Sequence, residues 1–347
     1  MSIRGSLVRL AIPLVASICF ATGARAEPVR ISYQPLSWAL PFYIASEKGF
    51  WKDVGIEPEF SVFPAGPQQI AAAQSWDLGG TGGPPAVLGA VRMGLLTIAI
   101  GTDESAVTAT VARSADADAI LKDPASLKGK QLLVTTNSTG EFSALACLKK
   151  FGLTRDDMQI VNLAPAQLVS AFSNDNGTLG ASWAPFIYVL QDKSGAKEIC
   201  NGQEADSFVT SNFIVTPEFA KEHPETAAKA LAVYLRAVAW QRRHRDEAIT
   251  YLKQFNEKNG VSLSQHFVEI DFDRRKNFTL AEELKIYDRS SGQATVDKWS
   301  DDLATYLVGT GTLKAVPDAK TYLDDRFLKM IDSDPKLQAF ANDDAAH

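Results

Sequence analysis

Two short turns carry the residues best suited to chemistry. The first is Gly79-Gly80-Thr81-Gly82-Gly83-Pro84, which follows a strand-like segment and opens a helix. The second, Asn137-Ser138-Thr139-Gly140-Glu141, has the same setting. Glycine lets the backbone approach a ligand closely, and the first turn of a helix presents unpaired N–H groups with about half a positive charge. Two such turns facing each other would hold a small anion without lysine or arginine. Taken singly, Thr81, Ser138 and Thr139 read better as helix caps than as ligand residues; the pair, one in each half of a two-part chain, favours binding. Trp38, in the loop after the first strand, and Trp183, at the end of a later one, are placed to wall a cleft.

The familiar catalytic patterns are missing. His223, His244, His266 and His347 sit in polar segments and pair with no other ligand at metal spacing. Gly180-Ala181-Ser182-Trp183-Ala184 ends in Ala where a serine-hydrolase elbow needs Gly. Neither phosphate-loop signature, G-x-x-x-x-G-K-[ST] or G-x-G-x-x-G, occurs. The expectation is a binder with no catalytic residues, no metal and no cofactor.

The elements that must position these turns alternate. Val29–Tyr33, Pro58–Phe63, Asp77–Gly80 and Leu96–Gly101 read as strands, separated by helical stretches from Pro41, Gly66 and Pro84. A polar segment from Ser114 to Gly129 reads as a connector, after which the grammar restarts. Gln131–Thr136, Gln159–Leu163, Leu179–Trp183 and Ala196–Cys200 are strands, with helices over Gly140–Phe151, Ala166–Ser173 and Pro185–Gln191. Phe208–Thr216 is the strand that carries the chain back, and the pattern from Pro224 onward is helical. This predicts an α/β protein with parallel-rich sheets. In such sheets ligands bind beyond the carboxyl ends of the strands, where both turns lie.

Composition agrees with this reading. The 347 residues are 46% hydrophobic and 22% charged, enough for a buried core, and the length suggests about two domains at roughly 150 residues each. The formal charge is −6, with no basic stripe to follow a phosphate backbone, so nucleic acid is not an expected partner. Arg4 and Arg9 precede an apolar stretch from Leu10 to Phe20, and Ala24-Arg25-Ala26 has the small-x-small form of a signal-peptidase site. Residues 1–26 are therefore expected to be a signal peptide and the protein to be periplasmic. Losing three arginines and no acid would take the charge from −6 to −9. No stretch is long and apolar enough to span a bilayer. Cys147 and Cys200 would remain; no spacing rule brings them together, and two buried thiols are the expected state.

Several motifs carry a resemblance. Phe63-Pro64-Ala65-Gly66-Pro67-Gln68-Gln69 and Gly80-Thr81-Gly82-Gly83-Pro84-Pro85 look like those of periplasmic solute-binding proteins of nitrate, sulfonate and taurine ABC importers. Val161-Asn162-Leu163, Trp183-Ala184-Pro185, Phe219-Ala220-Lys221-Glu222-His223-Pro224-Glu225 and Asp325-Arg326-Phe327-Leu328 are similar to taurine-binding members. The resemblance implies a type II two-lobed fold joined by two crossover strands. Lobe 1 would be 27–113 plus 216–347, and lobe 2 would be 114–215. It implies a monomer that carries a small organic anion to an inner-membrane ABC permease. Carried over by position, the ligand-binding residues are Gln34, Trp38, Thr81, Gly82, Gly83, Ser138, Thr139 and Trp183. Taurine-binding relatives place an acid in the returning strand; here the aligned place is Ser211-Asn212, with Asp206 the nearest acid. A neutral Ser211 disfavours an ammonium and points to an unaminated alkanesulfonate. Taurine, nitrate or bicarbonate, and a pyrimidine are the rival ligands, and Trp38, Phe42 and Trp183 as an aromatic wall would favour an organic tail over bare nitrate. A sensor receptor and, more remotely, a thiamine-pyrimidine synthase-like enzyme are the rival roles; the latter's cysteine run is missing here.

Overall fold

A computed structural model describes residues 27–343. The expected signal peptide and His347 lie outside the described residues. The strands are β1 (Glu27–Tyr33), β2 (Ile56–Val62), β3 (Leu78–Gly82), β4 (Leu96–Asp103), β5 (Thr108–Ala112), β6 (Gln131–Val134), β7 (Gln159–Asn162), β8 (Leu179–Trp183), β9 (Lys197–Asn201), β10 (Thr210–Val215) and β11 (Lys276–Asn277). They form a six-stranded sheet in the order β11-β4-β10-β3-β1-β2 and a five-stranded sheet in the order β7-β6-β8-β5-β9. Helices cover both sheets, and the chain after β10 is mainly helical.

The sheets are mixed: most strands of each run one way, as expected, and the strand that enters from the other sheet runs against them. β1 runs parallel to β2 and β3, and β6 parallel to β7 and β8. β10 runs antiparallel to β3 and β4, and β5 antiparallel to β8 and β9. In each sheet an antiparallel strand is the one that has just arrived from the other. Where the parallel strands of two sheets end at a shared cleft, a strand entering from that cleft must run away from it.

The passages between the sheets also fall earlier than expected. β5 pairs within the second sheet and β10 within the first, so residues 104–107 and 202–209 make the crossings, not the neighbourhoods of 114 and 216. The polar Ser114–Gly129 segment is no connector: Ser114–Lys122 is a helix that buries only Ala117 and Ile120. The two passages are bonded together, Glu104 N–H to the Val209 carbonyl at 2.7 Å and Val209 N–H to Ser105 Oγ at 2.9 Å. Buried Arg275 pairs with Glu104 and, at 3.0 Å, with Asp271.

Alternation along the strands builds the core. In β6, Leu132 and Val134 join Leu148, Leu179 and Ala181 on one face, while Leu133 joins Leu168, Phe172 and Leu190 on the other. Under the first sheet an aromatic cluster forms, in which Phe42 meets Trp38, Phe213 and Tyr234 at centroid distances of 5.3–5.8 Å. Cys147 and Cys200 are joined by a disulfide, with Cα atoms 5.9 Å apart, in place of the two thiols expected. The helix Thr139–Lys150 packs along β9, and that packing brings together cysteines 53 residues apart. No helix among the described residues is long and apolar enough to cross a membrane.

Candidate functional site

The loops after β1, β3, β6 and β8 converge between the sheets. There a small cavity is lined by Gln34, Gly82, Ser138, Thr139, Trp183 and Ser211, six of the nine expected ligand residues, together with Leu36, Gly66 and Pro85. These three were not read as site residues, although Gly66 and Pro85 belong to the motifs that carried the resemblance.

Two helix N-termini meet at this point. Gly82 is the N-cap of the helix Gly83–Met93, and Ser138 is the N-cap of Thr139–Lys150. A Cβ on Gly82 would stand 2.7 Å from Thr139 Cγ2, so the two walls touch. Ser138 acts as a cap: its hydroxyl donates to the Thr135 carbonyl at 2.6 Å and accepts from Glu141 N–H at 3.4 Å. The indole N–H of Trp183 is buried without a partner. The lining thus offers neutral donors and helix dipoles and no cationic side chain.

Three expected residues sit behind the cavity. Trp38 is 1% exposed and lies under Gly80, where a Cβ would come within 1.5 Å of its ring. It is a core residue, as is Phe42, which removes two of the three rings of the expected aromatic wall; Leu36 and Pro85 supply apolar surface in their place. Thr81 is fully buried and its hydroxyl accepts from Gln34 Nε2 at 3.3 Å. Gly83 packs on Leu303 and Thr210. Asp206 is exposed in the second passage, on a separate groove beside Lys149 and Lys150.

The cavity measures about 10 Å³, close to the smallest space that holds one water. A larger ligand enters only when the walls separate. Contacts beyond the cavity hold them together. Tyr306, on the helix Thr295–Gly309 that packs against Gly83–Met93, donates to Glu141 Oε2 at 2.7 Å. Glu141 also accepts from Asn137 N–H at 2.8 Å and Arg155 Nε at 3.2 Å. Burial beside that carboxylate pushes the Tyr306 phenol well above its ordinary pKa, so it stays a donor. Thr312 Oγ1 donates to Asn137 Oδ1 at 2.7 Å. Glu141 and Asn137 flank the Ser138-Thr139 turn, and their partners lie 165 and 175 residues away in sequence.

The chain is 30% identical over 257 residues to a protein of Bacillus subtilis (strain 168) assigned as an aliphatic sulfonates-binding protein, covering 71% of this chain and 76% of that one. Its fold is similar to that of the alkanesulfonate-binding protein SsuA from Xanthomonas axonopodis pv. citri, solved bound to MOPS. That likeness has a TM-score of 0.72 at 21% identity and covers 86% of this chain and 99% of the other. The desulfurization enzyme DSZB has the fold too, with a TM-score of 0.62 at 16% identity, covering 88% of this chain and 98% of the enzyme. Residues 38–248 match the family described as NMT1/THI5 like, and the chain belongs to that family.

Proposed function

We propose that the protein is the solute-binding component of an ABC importer, taking a small organic anion of the alkanesulfonate class into the cleft between its two sheets. One wall is formed by Gln34, Gly82 and Ser211, the other by Ser138, Thr139 and Trp183. Each sheet with its helices is a lobe, and the paired passages at 104–107 and 202–209 are the hinge. The protein acts in the periplasm as a monomer, released from residues 1–26, and delivers its ligand to an inner-membrane permease.

The observation that carries this reading is the convergence of two helix N-termini, one from each lobe, beside the unpaired Trp183 N–H. A negative group placed there bonds to both walls at once, so the ligand favours closure by its differential affinity for the closed form. The lining contains no carboxylate, which favours an unaminated sulfonate over taurine. It contains no histidine, cysteine or lysine either, and the Ser138 hydroxyl is tied to a carbonyl, which supports binding over catalysis.

Thermal unfolding of refolded, ligand-stripped protein against ethanesulfonate, taurine, nitrate, hydrogencarbonate and a pyrimidine tests the reading. A ligand at 100 times its Kd adds about 2.7 kcal/mol to the native state. A clear rise in Tm with ethanesulfonate, and a smaller one with taurine, is expected. No rise with any anion would overturn it.

A further inference from the structure

The cleft carries one fixed acceptor among its donors. Gln69, on the helix Gly66–Ala71, is fully buried behind the cavity. Its amide nitrogen donates to Ser32 Oγ at 2.7 Å and to the Gly80 carbonyl at 3.1 Å. A backbone carbonyl can only accept, so Gly80 dictates which end of the Gln69 amide is nitrogen. Gln69 Oε1 is then the atom that faces Gln34, and Gln34 must answer with its own nitrogen, which bonds to Gln69 Oε1. The same nitrogen lies 3.4 Å from the Gly80 carbonyl and 3.3 Å from Thr81 Oγ1. Turning the Gln34 amide over would set its oxygen against two other acceptors. Gln34 lines the cavity, and its Oε1 receives no hydrogen bond among the described residues and is not one of the sealed, unpaired oxygens.

The geometry points to Gln34, oriented by Gln69, as a specificity-determining acceptor that selects an anion bearing its own hydrogen-bond donor, a hydroxyl group. The inference rests on the anion-binding reading of the cleft and deepens it. The anionic end of the ligand meets the helix N-termini and the Trp183 N–H; the hydroxyl donates to Gln34 Oε1. An ammonium could donate too, but no lining carboxylate would compensate its charge. An anion without a donor leaves a desolvated carbonyl unpaired. A site built to bond a ligand hydroxyl rejects the analogue lacking it far more strongly than a shape difference would. Gln69 touches no ligand; it is a positioning residue.

Calorimetric titration of the stripped protein with 2-hydroxyethanesulfonate, ethanesulfonate, hydrogencarbonate and nitrate tests this. The hydroxylated sulfonate should bind at least about tenfold more tightly than ethanesulfonate, the loss expected for an unpaired buried acceptor. Hydrogencarbonate binding tighter than both sulfonates, with nitrate weak, would support the same donor rule and name an inorganic source. In Gln69→Met the Gln34 amide loses the bond to Gln69 Oε1 and is held only by the longer contacts to the Gly80 carbonyl and Thr81 Oγ1, so the ratio of the two sulfonate constants should fall. Gln34→Leu should weaken the hydroxylated ligand more than ethanesulfonate and so lower their ratio, which keeps the test decisive if Gln69→Met does not fold. A general loss of structure would weaken both ligands and leave their ratio intact. Equal binding of the two sulfonates by the unaltered protein, or an unchanged ratio in both variants, would overturn the inference and leave the anion cleft standing. No binding of any of the four anions would overturn both.

Discussion

Gly82→Ala separates closure of the cleft from stability of the fold. The backbone at Gly82 has φ −66° and ψ 160°, which alanine adopts without strain. The added Cβ would lie 2.7 Å from Thr139 Cγ2, and the next nearest atoms are at 3.7 Å. Carbon atoms settle at about 3.5–4.0 Å, so the opposing walls must part by roughly 1 Å or Thr139 must leave its rotamer. Overpacking of this kind costs about 1–3 kcal/mol. That cost falls on the closed form alone, because the colliding methyl belongs to the other wall. Every 1.4 kcal/mol is about tenfold in affinity, so ligand binding should weaken by roughly five- to 150-fold. The unliganded protein should be unchanged or about 0.4–1 kcal/mol more stable, since alanine restricts the unfolded chain. Calorimetry and thermal unfolding on one preparation read both signs. Thr139→Ser removes the Cγ2 methyl and keeps the hydroxyl, so Gly82→Ala/Thr139→Ser should recover most of the affinity. Gly80→Ala is the contrast: its Cβ would sit 1.5 Å from the Trp38 ring, inside the core, and should lower Tm whatever the ligand. If Gly82→Ala lowers Tm as Gly80→Ala does, or leaves affinity untouched, Gly82 and Thr139 are not opposing walls of a closing cleft.

Replacing Cys147 and Cys200 together by alanine should cost about 4 kcal/mol of unfolding free energy on the chain-entropy scale for a loop of this length, read from denaturant curves; a loss under about 1 kcal/mol would mean the bridge constrains little. Tyr306→Phe keeps the ring against Phe142 at 5.3 Å and deletes the bond to Glu141 across the cleft. Ligand dissociation in stopped flow should quicken about tenfold, the scale of a hydrogen bond to a charged group, with association little changed; an unaltered off-rate would show that the bond does not hold the closed form. Glu283 is buried and accepts from the N–H groups of Ile100 and Gly101, yet burial pushes its carboxyl up to about 7. The unfolded chain loses that proton near 4.5 while the native state keeps it, so this group's stabilising share is full below about pH 4.5 and is lost as pH rises to about 7. Glu283→Gln should flatten that part of the stability curve, and an identical pH dependence in the variant would refute it.

Much of the architecture was legible because it is local. Leu179–Trp183 was read to the residue, and the strands before the glycine turn and before Ser138 to within a few, since apolar runs ending in turn residues leave little choice. Thr108–Ala112 carries no such signal, being a five-residue strand between a short turn and a polar helix. Gly82, Ser138 and Thr139 were recognisable as strand-end turns at helix starts. Trp38 was not: an aromatic after a strand looks the same whether it turns into the core or the cleft, and only the missing Cβ of Gly80 makes the seat that receives it. The Tyr306–Glu141 bond and the Cys147–Cys200 bridge join segments 165 and 53 residues apart, and nothing local in sequence announces either.

On the proposed function, holding an anion with neutral donors fits a protein that must also let go. A lysine or arginine on one lobe would keep its attraction after the lobes part, because Coulomb energy falls only as the inverse of distance. Helix-terminal N–H groups act within about the first turn and must point at the ligand to count. With the walls in contact, the N-termini at Gly83 and Thr139, the Trp183 indole and the Ser211 hydroxyl surround one small space. Parting them by a few ångströms leaves an anion with about half its donors and readmits water to compete for the rest. Affinity is then a property of the closed form alone, so whatever opens the lobes also empties them. A lysine placed at Ser211 should therefore raise equilibrium affinity for an alkanesulfonate and slow its release together. If Ser211→Lys tightens binding while release stays as fast as in the unaltered protein, a cation does not retain the ligand once the walls part, and neutral donors are not what permits emptying.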